Sequence, residues 1–282
     1  MGTIYYEIGD QRNWLGTLVT TAWIDYFQGN FNGAEKGFKQ SFMIGRARKL
    51  PTMLIVSGAG LVMVTLRRGS PKEQLEKVLT DLENALDTVV EAPSTREKIL
   101  LDGTRGIVHL YLGNKATAHQ LAKEGLSLIN ITRDYQLFDM VAYTSVAETL
   151  LELWESGYVD ATLKEDVQAA SRALHLFAQI VPIARARAWM MQARGNWLNN
   201  EHERAKRALI TAIMEAQNLH MPYDEGIAYY HLGRLKAHSE AAEAVSHLQL
   251  AIDRLESVGA VEQIRSARQV LEAIASMRDG SV

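Results

Sequence analysis

Residues 51–73 read PTMLIVSGAGLVMVTLRRGSPKE, the most apolar run of the chain, interrupted by Gly58 and Gly60. Three structures suit such a run: a membrane span, a buried strand leading into a phosphate loop, or one helix inside a larger stack. The span fails on length. Leu54 to Leu66 is 13 residues, against roughly 20 needed to cross hydrocarbon, and Arg67 and Arg68 end the run abruptly. The phosphate loop fails on pattern. Neither glycine leads to Gly-x-x-x-x-Gly-Lys-Ser/Thr, and GAGLVM lacks the third glycine of a dinucleotide fingerprint. The stacked helix remains. Each glycine costs about 1 kcal/mol of helix propensity, which is tolerated where neighbouring backbones pack closely. A helix with neighbours on both sides is also apolar nearly all round.

The flanking sequence is punctuated for helices. Ser70 is placed as an N-cap, Pro71 at the first helical position and Glu73 to close a capping box. Ser94, Thr95, Arg96 and Glu97 form a second such start. Between them, Leu75, Val78, Leu79, Leu82, Leu86 and Val89 recur at helical spacing. Alternating strand patterns are nearly absent, and Pro93, Pro182 and Pro222 fall between periodic segments. The expectation is an all-α chain of roughly a dozen helices.

Composition narrows the function classes. The 282 residues are 47% apolar, with 5 prolines, 20 glycines and a formal net charge of −3. That balance supplies a continuous core and no global attraction for nucleic acid or anionic lipid. The absence of cysteine removes disulfides, thiol catalysis and Cys-based metal sites, and suits a reducing compartment; the expected location is cytoplasmic. The opening MGTIYYEIGDQRNW has no basic region followed by an apolar core, as a signal peptide would. Tyr6 stands where myristoylation wants Ser or Thr. His202-Glu203 is followed by Lys206 rather than a second His, so the zinc-protease helix is missing. His231 and His238, one heptad apart, read as surface or groove histidines rather than ligands. No Gly-x-Ser-x-Gly occurs. The sequence therefore predicts a non-enzyme with no cofactor and no metal.

Internal repeats carry the positive signal. AWIDYFQGNFNGAEKGFKQS (22–41), GIVHLYLGNKATAHQLAKEG (106–125) and ARGNWLNNEHERAKRALITA (193–212) share one pattern. A small residue is followed seven positions later by a turn residue, Gly29, Gly113 or Asn200. An alanine follows in the next helix (Ala34, Ala118, Ala205), then a packing position (Phe38, Ala122, Leu209) and a small residue (Ser41, Gly125, Ala212). Small residues on both helices allow close approach, and the turn makes the helices antiparallel. That is the unit of an α-solenoid.

On these residues the chain resembles the tetratricopeptide family. A further copy begins at Tyr229, where Leu232-Gly233 matches the family's Leu-Gly pair and Gly259 is a predicted C-cap. The anchor positions are 22, 62, 106, 150, 193 and 233, so the steps exceed the usual period of about 34. Val62 and Leu150 stand where a small anchor is expected. The resemblance is therefore to a long-helix variety, similar to C-terminal repeat regions of bacterial signalling ATPases and cyclase-linked regulators, and to maltose-type transcription activators. It implies a right-handed superhelix of antiparallel helix pairs, a single domain over 1–282 with about six repeats (14–48, 51–91, 95–130, 136–180, 183–220, 223–258) and a capping helix over 260–277.

In that family, set positions of each first helix face a concave groove. Carried onto this chain they are Trp23, Tyr26 and Phe27; Arg187, Met190, Arg194 and Trp197; and Tyr230, Arg234 and His238. Arg194 and Arg234 occupy equivalent positions in successive repeats. Stacked beside Trp197 and Tyr230, they suit a carboxylate or an acidic peptide. The bland reading is that the basic run is solvated and answered by Glu201, Glu203 and Glu215. The implied function is a protein–protein interaction, scaffold or sensor module of a bacterial-type signalling protein, with a protein or peptide as partner. A stand-alone peptide-sensing regulator and an enzyme without a recognised motif remain alternatives. Further partners in view are an N-terminal nucleotide-binding domain of the same polypeptide and a second copy of the chain. The second would dock on an apolar N-terminal end made of Trp14, Trp23, Tyr26, Phe27 and Phe31. Neither a membrane nor a nucleic acid is expected.

Overall fold

The computed structural model describes residues 11–132, 136–237 and 239–279. Among them are thirteen α-helices, one 3₁₀ turn (Pro182–Ala184) and no strand. In order the helices are α1 (Gln11–Phe27), α2 (Phe31–Arg48), α3 (Pro51–Arg67), α4 (Lys72–Leu86), α5 (Thr95–Leu112), α6 (Lys115–Ile129) and α7 (Asp139–Glu155). There follow α8 (Leu163–Ile180), α9 (Arg185–Leu198), α10 (His202–Asn218), α11 (Pro222–Lys236), α12 (Ala241–Val258) and α13 (Val261–Asp279). The N-terminal decapeptide, with Tyr6, lies outside the described residues.

The chain is an all-α helical repeat, and its unit shows in the turns. Gly29, Gly69, Gly113, Gly157 and Asn200 all have φ between 62° and 95°, the left-handed region that glycine enters freely and asparagine tolerates. Each ends the first helix of a pair. The following backbone N–H then donates back to a carbonyl five residues earlier: Asn30 to Asp25, Ser70 to Thr65, Asn114 to His109, Tyr158 to Leu153 and Glu201 to Asn196, at 2.8–3.2 Å. This is the closing bond of a Schellman-type C-cap, repeated at the same register in five pairs. Gly259 (φ 71°) ends α12 as predicted.

Capping divides the two predicted starts. Ser94 and Glu97 form the full capping box at the head of α5. Ser70 does not cap α4. Helix α4 begins one residue later than expected, at Lys72, with Pro71 as an extended N-cap and no side-chain cap. The Ser70 N–H instead closes α3.

By packing, the chain falls into two compact units, Met1–Leu66 with Ser70–Thr149 and Arg67–Gly69 with Leu150–Val282. In the first, the two glycines of the opening stretch are close-approach points. A Cβ on Gly58 would lie 2.5 Å from a Leu82 methyl of α4, the partner helix. A Cβ on Gly60 would lie 2.5–2.6 Å from three ring carbons of Phe38 in α2, the preceding helix. Helix α3 thus has close neighbours from its own pair and from the one before. Phe38 is itself held by Trp23, with ring centroids 4.7 Å apart.

In the second unit, α9 packs on α10 and α11 on α12, while α9 also touches α11 and α11 touches α13. First helices therefore stack on first helices. Gly233 is a close-approach point here, since a Cβ on it would lie 2.6 Å from Leu248. The anchors Ala22, Val62, Leu150 and Ala193 are at most 1% exposed, so the two copies without a small anchor still bury it. Among the described residues, no helix is long and apolar enough to cross a membrane.

Candidate functional site

The predicted groove residues separate into three groups. Trp23 and Tyr26 are core, at 0 and 2% exposure. They pack edge-on to each other and against Phe27, with Phe38 on the indole and Phe31 on the phenol. This relocates them from the groove, because large rings in the long first pair fill its interior. Of the five residues expected to form a docking surface at the N-terminal end, Trp14 is half-buried and the other four are buried. Trp23, Tyr26, Phe27 and Phe31 turn inward on one another. His238 lies outside the described residues.

Arg187 on α9 is also buried, and its Nε donates to Asp224 on α11 at 2.8 Å. The side chains are 5% and 3% exposed, so this is a structural ion pair between stacked helices. A buried charge persists only when paired.

The remaining residues converge in the second unit. Arg194 (α9) and Arg234 (α11) do reach one common point, but it is a carboxylate of the protein. Arg194 donates to Glu152 at 2.6 Å and to Glu155, both on α7. Arg234 donates to the other oxygen of Glu155 at 3.0 Å. Glu155 therefore bridges guanidinium groups from two successive repeats to a third helix.

The cluster sets its own electrostatics. Burial works to raise the Glu155 carboxyl, but Arg194 and then Arg234 hold it below its ordinary value. Burial works against the Arg194 charge, and the two carboxylates more than offset it. His231 beside them is pushed well below its usual value, first by burial and then by both guanidinium groups, so it is neutral. The expectation that Arg194 meets a ligand carboxylate is corrected by this geometry. Its side chain is 6% exposed and its charge is answered within the fold.

Arg234 is different. Its side chain is 31% exposed, and its guanidinium carbon lies 5.2 Å from the Trp197 centroid and 5.5 Å from that of Tyr230. Two aromatic rings hold the planar fork, and Glu155 engages one of its nitrogens. These three residues line an open cleft of about 630 Å³. Glu152, 43% exposed, stands on the same wall. The opposite wall is α13, through Gln269, Val270 and Ala273. One wall is ionic and aromatic, the other mostly uncharged.

Of the residues singled out in the sequence, Arg234, Trp197 and Tyr230 line this cleft; Glu152 and Glu155, which line it too, were not among them. The signal for Glu155 was present. It stands five residues after Leu150, as Phe27 and His238 stand five after Ala22 and Gly233, but Leu150 is not the small anchor that marks a repeat. Of the acidic residues named to answer the basic run, Glu201 pairs with Arg204 at 3.0 Å and Glu215 stands 4.0 Å from Arg185.

No protein-family model matches the chain, and no curated protein matches it. A solved structure does. The chain is similar to Rap protein complexed with competence and sporulation factor, with a TM-score of 0.66 over 95% of this chain and 73% of that one, at 14% identity. At that identity the likeness shows the fold: a tetratricopeptide-like stack of helix pairs.

Proposed function

We infer that this chain is a non-enzymatic helical-repeat module that binds a short peptide or a protein segment in the cleft walled by α9, α11 and α13. The observation that carries the reading is the half-exposed Arg234 fork. It is held flat by Trp197 and Tyr230 at the edge of an open cleft of about 630 Å³. A pre-positioned guanidinium takes a carboxylate with little ordering cost, and Val270, Ala273 and Ile274 of α13 offer an apolar surface for side chains. Arg194 supports from behind, by fixing Glu155. The Rap structure of similar fold is itself a complex, with competence and sporulation factor, which favours a stand-alone sensing regulator over a scaffold attached to an ATPase or cyclase domain.

The test uses the full chain and a labelled library of short peptides read by fluorescence polarisation. A subset of carboxylate-bearing peptides should bind saturably, and Arg234→Ala should weaken them on the order of tenfold or more. Far-UV circular dichroism should be unchanged by the substitution. No saturable binding at millimolar peptide, or binding indifferent to both Arg234→Ala and Trp197→Ala, refutes the assignment.

A further inference from the structure

A second cleft in the same unit, of about 310 Å³, opens between the end of α7, α8 and α9 and shares no lining residue with the first. Its lining includes Gly195, in the last turn of α9. Several helical glycines are required by packing: a Cβ on Gly58, Gly60, Gly226 or Gly233 would collide at 2.5–2.8 Å, whereas Gly16 in α1 has open space around it and lines neither cleft. A Cβ on Gly195 would meet nothing within 4 Å. The protein contains no contact that explains why an intrinsically unfavourable helix residue stands there. Glycine is the residue that lets a ligand approach a backbone closely.

The walls are polar but mostly uncharged. Gln168, Ser171 and Asn196 line the cleft, and none makes a side-chain hydrogen bond among the described residues. Ser171 is the informative one. Ser41, Thr65, Thr144 and Thr149 fold their hydroxyls back onto a carbonyl one turn earlier; Ser171, which lines the cleft, makes no such bond. Trp154 supplies an indole on one side. Lys164 lies over that ring at 5.8 Å, Arg172 stands at the rim, and the one lining carboxylate, Glu201, is paired with Arg204 at 3.0 Å. A cationic guest is therefore disfavoured.

We propose that this cleft binds a purine base, presented by a nucleoside or nucleotide, stacked on Trp154 beside Gly195 with its edge on Asn196 and Gln168. Carboxamides present a donor and an acceptor side by side, which matches the adjacent acceptor and donor on a purine edge. An indole is the strongest stacking surface a protein offers a base. Sugar hydroxyls alone would not need paired amides, and the one lining carboxylate that could grip them, Glu201, is engaged by Arg204.

The test is isothermal titration of the full chain with adenosine, guanosine, their 5′-monophosphates and glucose. A purine nucleoside should bind at one site. Gly195→Ala should lower its affinity on the order of tenfold by filling the space at Gly195, while raising the thermal midpoint, since the new methyl meets no neighbour. Asn196→Leu should weaken purine binding without a change in helicity. Tighter binding of the monophosphate, lost in Arg172→Ala, identifies a nucleotide as the guest; equal binding identifies the nucleoside. The proposal is overturned by the absence of saturable purine binding, by glucose binding in its place, or by purine affinity unchanged in Gly195→Ala.

Discussion

Replacing Gly60 by alanine tests the close packing on which the reading of residues 51–73 rests. The new Cβ would lie 2.5–2.6 Å from three ring carbons of Phe38, well inside van der Waals contact. Phe38 cannot swing aside easily, because it is 0% exposed and Trp23 packs on it at 4.7 Å. Overpacking of this kind costs about 1–3 kcal/mol. Alanine returns about 1 kcal/mol of helix propensity. Three contacts on a ring that cannot move away put the cost in the upper part of that range, so the net expectation is a loss of about 1–2 kcal/mol for Gly60→Ala. Gly58→Ala supplies the control. Its obstacle is the methyl end of Leu82, a flexible group that can rotate away, so the propensity gain and the packing loss should nearly cancel, to within about 0.5 kcal/mol. Urea denaturation followed by circular dichroism and tryptophan fluorescence measures both. A double-mutant cycle with Phe38→Leu should recover about 1 kcal/mol as coupling. If Gly60→Ala proves as stable as the parent, or no more costly than Gly58→Ala, the argument from close approach is wrong.

Glu155→Gln should cost about 2 kcal/mol, since it removes a charge-assisted partner from buried Arg194 and half-exposed Arg234 together. The Glu155 carboxyl is held below its ordinary value. Its contribution is therefore complete above the unfolded-state value of about 4.3 and is lost as pH falls through the lower folded value. An acid-stability titration should show a shallower acid limb in Glu155→Gln, and an unchanged limb would count against the bridge. Asp224→Ala should cost about 3–5 kcal/mol by stripping the carboxylate from buried Arg187, whereas the double replacement Arg187→Met/Asp224→Leu should recover most of it; chemical denaturation of the three variants distinguishes these outcomes.

The repeat and its register were legible in local sequence. Turn glycines at 29 and 113 and asparagine at 200 mark left-handed positions, and the residues spaced around them are buried because a helix hairpin admits few side chains at its crossing. Local chemistry misled at Ser70, whose N–H serves the preceding helix. It misled again at Trp23 and Tyr26, where family register pointed to the groove and ring volume placed them in the core.

What the sequence determined by itself was the all-helical repeat, because turn conformation and 3.6-residue periodicity are properties of a few neighbouring residues. What only tertiary structure decided was which charges stay accessible. Arg194 and Arg234 look alike along the chain. One is buried against Glu152 and Glu155, and the other lies half open on Trp197 and Tyr230. Ionic pairing across helices some 40 residues apart depends on how side chains of three repeats meet, and no local pattern encodes that meeting.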